Sequence, residues 1–139
     1  MKKNIIRKIP AIVVMIAICI LSSLPGDDAF LNSFELNDKL KHIIAYFALG
    51  IFLCLWIPRE KWFAKPFIWG VAVVVAGTVF GVLDEFHQSF VPGRSGNDVG
   101  DMVANFIGSF VSPFVYFAMI CLTRRRIGRS PKQAPSQVQ

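Results

Sequence analysis

Apolar residues fall into four long runs, about 9–24, 38–57, 67–86 and 101–122, and the polar and turn-forming residues collect between them. A helix needs about 20 apolar residues to cross the hydrocarbon core of a bilayer. The pattern therefore predicts an all-α chain, an integral membrane four-helix bundle. Its boundaries carry their own signals. Ser22-Ser23 and Pro25-Gly26 end the first run, Pro58 stops the second, and Pro92-Gly93 makes a turn after the third. Ser112-Pro113 predicts a kink inside the fourth, of the kind membrane helices tolerate when neighbours satisfy the freed backbone groups. Gly77 and Gly81 have the small-xxx-small spacing that lets a neighbouring helix come close. Gly96 and Gly100 read as pliable loop positions.

The first run follows a basic head, Met1 to Lys8, as a signal peptide's would. It is longer than the usual h-region of roughly 7 to 15 residues, so it reads as a retained span. A hydrophobic share of 54% over 139 residues places the chain in the membrane class. Cys19, Cys54 and Cys121 lie inside apolar runs, which suits small buried side chains better than a disulfide framework. A tail rich in Pro, Ser and Gln from Ser130 to Gln139 is expected to be disordered.

Charge sets the orientation. Twelve of the fifteen basic residues lie in the head, the 58–66 connector and the tail, opposed there by Glu60 alone, and the other side keeps eight of the nine acids. Positive charge stays cytoplasmic, so both termini are predicted inside, in the inner (cytoplasmic) membrane. Trp62 reads as an interfacial residue of the 58–66 connector. The net charge of +6 is thus a topology signal, and nucleic acid is not an expected partner.

With that orientation three polar clusters face outward at the ends of spans two, three and four, beside Ser22 and Ser23. Asp38, His42 and Tyr46 are spaced i, i+4, i+8, which aligns them on one helix face descending into the membrane. Asn37 or Asp38 would serve as an ordinary helix cap, and Lys39 and Lys41 would snorkel to headgroups. His42 lies one turn in, where an ionisable group needs a polar partner. Asp84 and Glu85 sit at a helix C-terminus, where the dipole disfavours negative charge. They call for compensation by Arg94 or Lys39, by a bound cation or by protonation. Gln88 shares a face with Asp84, and His87 points elsewhere. Arg94, after a Pro-Gly turn, would either clamp an anion or lock Asp84 or Glu85. Asp98 and Asp101 stand at a helix N-terminus, where acids are favoured anyway, and Asn105 is a turn further in. No Gly-x-Ser-x-Gly elbow, His-Glu-x-x-His or Walker loop is present. The carboxylates with His42 could hold a divalent cation, yet no spacing demands one, so no metal is assigned.

These motifs, Asp38-Lys39-x-x-His42-x-x-x-Tyr46, Asp84-Glu85-x-x-Gln88-x-x-Val-Pro-Gly-Arg94 and Asp101-x-x-x-Asn105-x-x-Gly108, resemble those of the VanZ-like membrane proteins. That family is named for an accessory protein of glycopeptide resistance that lowers susceptibility to teicoplanin. The resemblance implies four spans and a membrane location, and it supplies no mechanism.

The reading that joins these signals is an outward polar pocket that engages an anionic lipid or cell-wall precursor headgroup. In its enzymatic form, a membrane hydrolase or transferase, His42, Asp84 and Glu85 are the catalytic candidates. Ser22, Ser23, Asp38, Lys39, Tyr46, Gln88, Arg94, Asp101 and Asn105 are the substrate-binding candidates, with Arg94 and Lys39 on the anion. The rivals are a non-catalytic envelope accessory protein holding its ligand unchanged, and a transporter. The transporter is disfavoured because the polar residues gather at one side.

Overall fold

The computed structural model describes residues 5–26 and 37–128. The start of the basic head, most of the connector before Asp38 and the tail expected to be disordered lie outside the described residues. Among the described residues every regular element is a helix: α1 Ile9–Ser22, α2 Asp38–Trp56, α3 Arg59–Ala64, α4 Pro66–Gln88 and α5 Val99–Gly128. The helices α2, α4 and α5, the last over Val99–Arg125, are long and apolar enough to cross a membrane. α1 is apolar but shorter, at 14 residues, or about 21 Å of rise.

The helix boundaries follow local chemistry. Asn37, not Asp38, caps α2, its side-chain oxygen accepting from the Lys39 amide at 3.0 Å. Pro58 forces Ile57 into an extended conformation, which ends α2. Pro66 opens α4, where a missing N–H costs nothing. The loop after α4 folds back on its end, and the amides of Ser89 and Asn97 both donate to the Glu85 carbonyl at 3.2 Å. Asn97 holds a positive φ of 63° to do so. Gly96 answers to this same fold-back rather than to pliability: a Cβ there would run into the Ser89 backbone.

Packing is organised by α5, whose largest interface is with α2, followed by that with α4. α2 and α5 run parallel and in step, Lys39 beside Asp101, His42 beside Asn105 and Gly50 against Ser112. α4 runs the opposite way, with Gly77 against Ser109 and Gly81 against Asn105. Between membrane helices such small-residue contacts replace the hydrophobic driving force, because they let backbones approach. The helix that Gly77 and Gly81 admit is α5.

Pro113 lies inside α5, which continues through it. Proline removes the N–H that would bond the carbonyl of Ser109. The Ser112 hydroxyl takes over, donating to that carbonyl at 2.9 Å. Ser112→Ala is expected to destabilise the protein by about 1 kcal/mol, measured by unfolding in detergent. The loss should shrink in a Pro113→Ala background, where the backbone amide returns.

Away from the polar clusters, Cys54, Trp62, Val73, Tyr116 and Ile120 form an apolar core. Trp62 is 1% exposed, its ring 5.3 Å from that of Tyr116 and its N–H donating to the Cys54 carbonyl at 3.2 Å. It is a core residue of this end rather than an interfacial one, because α3 folds the connector back over the bundle. Of the three cysteines only Cys54 is buried; Cys19 is exposed, Cys121 is half-buried, and all are free thiols.

Candidate functional site

The start of α2, the end of α4 and the start of α5 meet at one end of the bundle, and the polar residues there form two adjoining groups. The inner group centres on His42. Its Nδ1 lies 2.9 Å from Asn105 Oδ1, an oxygen that can only accept, so Nδ1 carries the proton. Glu85 Oε1 is 3.9 Å from the same nitrogen. Gln88 donates from Nε2 to Asp84 Oδ2 at 3.2 Å and to Glu85 Oε1 at 3.4 Å, bridging the two carboxylates. The Tyr46 hydroxyl faces Asp84 without a hydrogen bond to it. Tyr46, Glu85 and Asn105 are each 1% exposed, and Asp84 and Gln88 are nearly as buried.

The outer group is an ion cluster. Lys39 Nζ sits 3.1 Å from Asp101 Oδ1 and 3.5 Å from Asp98 Oδ1. Asp98 also heads α5: its Oδ1 accepts from the Gly100 amide at 2.6 Å and the Asp101 amide at 3.3 Å. The Gly100 amide, with Lys39 alongside, holds the Asp98 carboxyl below the usual carboxylate range. Asp38 is exposed at the edge of this group, within reach of His42 and Asp101.

A third set gathers around the end of α1. Arg94 donates from Nη2 to the Leu21 carbonyl at 2.7 Å and from Nε to the Leu24 carbonyl at 3.2 Å. The Gly26 amide donates to the Pro92 carbonyl at 3.2 Å. Ser23 Oγ donates to the Cys19 carbonyl at 2.6 Å and lies 3.0 Å from His87 Nε2. Ser22 is buried at the end of the same helix.

The structure thus brings His42, Tyr46, Asp84, Glu85, Gln88 and Asn105 together, sets Lys39, Asp38 and Asp101 beside them, and leaves Ser22, Ser23 and Arg94 at the α1 end. One expectation changes. Neither Arg94 nor Lys39 compensates Asp84 and Glu85, because the guanidinium is turned to helix carbonyls and the ammonium to Asp98 and Asp101. Partial compensation comes instead from the Gln88 amide, which bridges both carboxylates, and from His42 beside Glu85. The polar residues are packed together. Two cavities, of about 580 Å³ between Phe67, Val71, Phe110 and Phe114 and about 270 Å³ beside Arg59, Phe63 and Arg124, touch neither group.

Sequence reasoning passed over the pairing of Ser23 with His87. The i, i+4 rule that aligned the other residues says nothing about a contact 64 residues apart. It also passed over Ser112, whose partner is visible only by counting back four residues from Pro113.

Long apolar helices carrying buried ionisable side chains at one end define a helical membrane protein. The VanZ/LLP1 family profile matches residues 5–122, which is most of the chain. The protein belongs to the VanZ/LLP1 family. No curated protein and no solved structure matches it.

Proposed function

We propose that this VanZ/LLP1 protein crosses the cytoplasmic membrane four times, with both termini inside. At its outer end the His42, Asp84 and Glu85 group acts on the polar headgroup of an anionic lipid or cell-wall precursor, as a hydrolase or transferase. The observation that carries the reading is the held imidazole. Asn105 fixes the His42 tautomer at 2.9 Å, and a buried carboxylate, Glu85, stands 3.9 Å away. An oriented imidazole beside a carboxylate is the equipment of general acid–base chemistry. Lys39, whose side chain is 53% exposed, would meet the anionic headgroup. Gln88, Asp101 and Asn105 would orient the reacting group.

Two observations support the topology. α1 runs alongside α2 from one end to the other: the Lys8 carbonyl accepts from Trp56 Nε1 at 3.2 Å, while Ser23 reaches His87. The end opposite the acids carries a basic and aromatic rim, with Lys8 over Trp56, Lys61 over Trp69 and Arg124 over Phe63, as expected of the cytoplasmic side.

The burial of the inner group favours a second reading, a non-catalytic envelope accessory protein whose packed cluster serves recognition, with teicoplanin resistance as one outlet. The transporter reading is weaker, because the core at the basic end is apolar and offers ions no path. Native mass spectrometry of the detergent-purified chain from its own membranes, followed by incubation with the lipid it retains, separates the readings. Catalysis predicts that His42→Asn and Glu85→Gln keep the lipid bound but stop its conversion. Equal loss of binding and conversion in folded variants points to a binding site. A chain that retains and converts nothing overturns the headgroup reading.

A further inference from the structure

We infer that the inner group is a divalent-cation site, with Asp84, Glu85 and His42 as its protein ligands. One carboxylate oxygen from each acid and one ring nitrogen of His42 lie within 4.8 Å of one another. That spacing lets a single ion touch all three after small side-chain rotations. Two carboxylates and one imidazole suit a first-row ion such as Mn²⁺ or Zn²⁺.

The second observation is independent of that spacing. Glu85 Oε2, Asn105 Nδ2 and the Tyr46 hydroxyl are buried and have no hydrogen-bond partner among the described residues. Buried polar atoms in folded proteins are nearly always paired with protein, water or an ion. The three belong to one neighbourhood. Tyr46 and Asn105 both pack on Gly81, one turn before Asp84 and Glu85, and Asn105 holds His42 by its other amide atom. The set has mixed chemistry, a carboxylate oxygen that only accepts, an amide N–H that only donates and a phenol that does either. A hydrated cation answers all of them, since the metal takes Glu85 Oε2 and its water donates to the phenol oxygen and accepts from the amide on its remaining lone pair.

Electrostatics points the same way. Asp84 and Glu85 are buried in the last turn of α4, where the helix dipole opposes negative charge. The nearby cations are spent elsewhere, Lys39 on Asp98 and Asp101 and Arg94 on the α1 carbonyls. Asp38, His42 and Asp101 form a second triad of similar spacing, but Asp101 is already paired with Lys39 at 3.1 Å. The inner triad is therefore the site. A cation there would polarise a phosphoryl or carbonyl oxygen or activate bound water.

The inference deepens the headgroup reading, sharing its residues, and its test reads the ion without any lipid substrate. The full chain in detergent, stripped with chelator, is titrated with Mn²⁺ and followed by electron paramagnetic resonance. The expected result is one Mn²⁺ per chain with the nitrogen coupling of one imidazole. His42→Asn should abolish that coupling. Asp84→Asn and Glu85→Gln should each weaken binding tenfold or more, and His87→Gln should leave it unchanged. Size-exclusion profile and helical circular dichroism establish that each variant folds. If a variant does not fold, the nitrogen coupling in the unaltered chain decides alone. Absence of Mn²⁺ binding, absence of imidazole coupling, or binding indifferent to folded Asp84→Asn and Glu85→Gln overturns the inference. A chain that binds Mn²⁺ yet converts no lipid removes only the catalytic reading.

Discussion

Gly108→Ala is expected to destabilise the protein in detergent by about 3 kcal/mol, at the upper end of ordinary overpacking. Gly70→Ala should leave stability within about 1 kcal/mol of the parent, alanine's helix propensity offsetting any contact it makes. The difference lies in what each new methyl meets. At Gly108 it would press on the Ile43 carbonyl and the Phe47 amide of α2, and backbone cannot rotate aside as a side chain can. At Gly70 the nearest atom is the Pro113 Cβ at 3.8 Å, an ordinary contact. The two helices would have to separate at Gly108, one turn from the point where Asn105 holds His42 at 2.9 Å. The same substitution should therefore disturb the site as well as the fold. Thermal unfolding of both variants in one detergent checks this, and a Gly108→Ala protein as stable as Gly70→Ala would mean that α2 and α5 do not touch there.

The long helices were legible because bilayer thickness imposes a length on apolar runs. Runs placed at 38–57 and 67–86 became helices at Asp38–Trp56 and Pro66–Gln88. The inner polar group was legible too. Period 3.6 puts Asp38, His42 and Tyr46 on one face, and counting passes through the membrane brings the ends of three helices to one side. What stayed hidden were choices among partners. Arg94 or Lys39 was one of the partners open to Asp84 and Glu85, beside a bound cation or protonation, since opposite charges at one membrane face read as pairs. Chain geometry decided otherwise. The fold-back after α4 carries Arg94 past its own helix to α1, and the parallel register of α2 with α5 places Asp101 in front of Lys39. Trp62 was misplaced for a related reason. Tryptophan in a basic connector suggests the headgroup layer, but six residues of α3 suffice to turn its ring inward onto Tyr116 and Phe117.

The role of Arg94 leads to the other large effect. Arg94→Ala is expected to lower stability by about 3 kcal/mol, the sum of two hydrogen bonds from a charged donor at the low end of about 1.5 kcal/mol each. The loss should appear first as faster amide hydrogen exchange at the C-terminal turn of α1. The Leu21 carbonyl lies in the last turn of α1 and the Leu24 carbonyl just beyond it, and the guanidinium bridges both at once. Arg94→Lys separates this from an anion-binding role. A lysine ammonium keeps the charge but lacks the planar fork that fits two acceptors at fixed angles, so a structural tie predicts that lysine recovers about half of the lost stability. An anion site predicts near-parent stability in both variants, with ligand retention lost in the alanine protein and largely kept in the lysine one. Gly26, packed on the Gly93 carbonyl, and the Gly26 amide on Pro92 tie the same two segments. The alanine variant should therefore loosen α1 without releasing it, and Ser23 should remain within reach of His87 for part of the time. A Ser23 to His87 contact that survives while α1 exchange quickens would place Arg94 as the element that sets how tightly the first helix closes over the site.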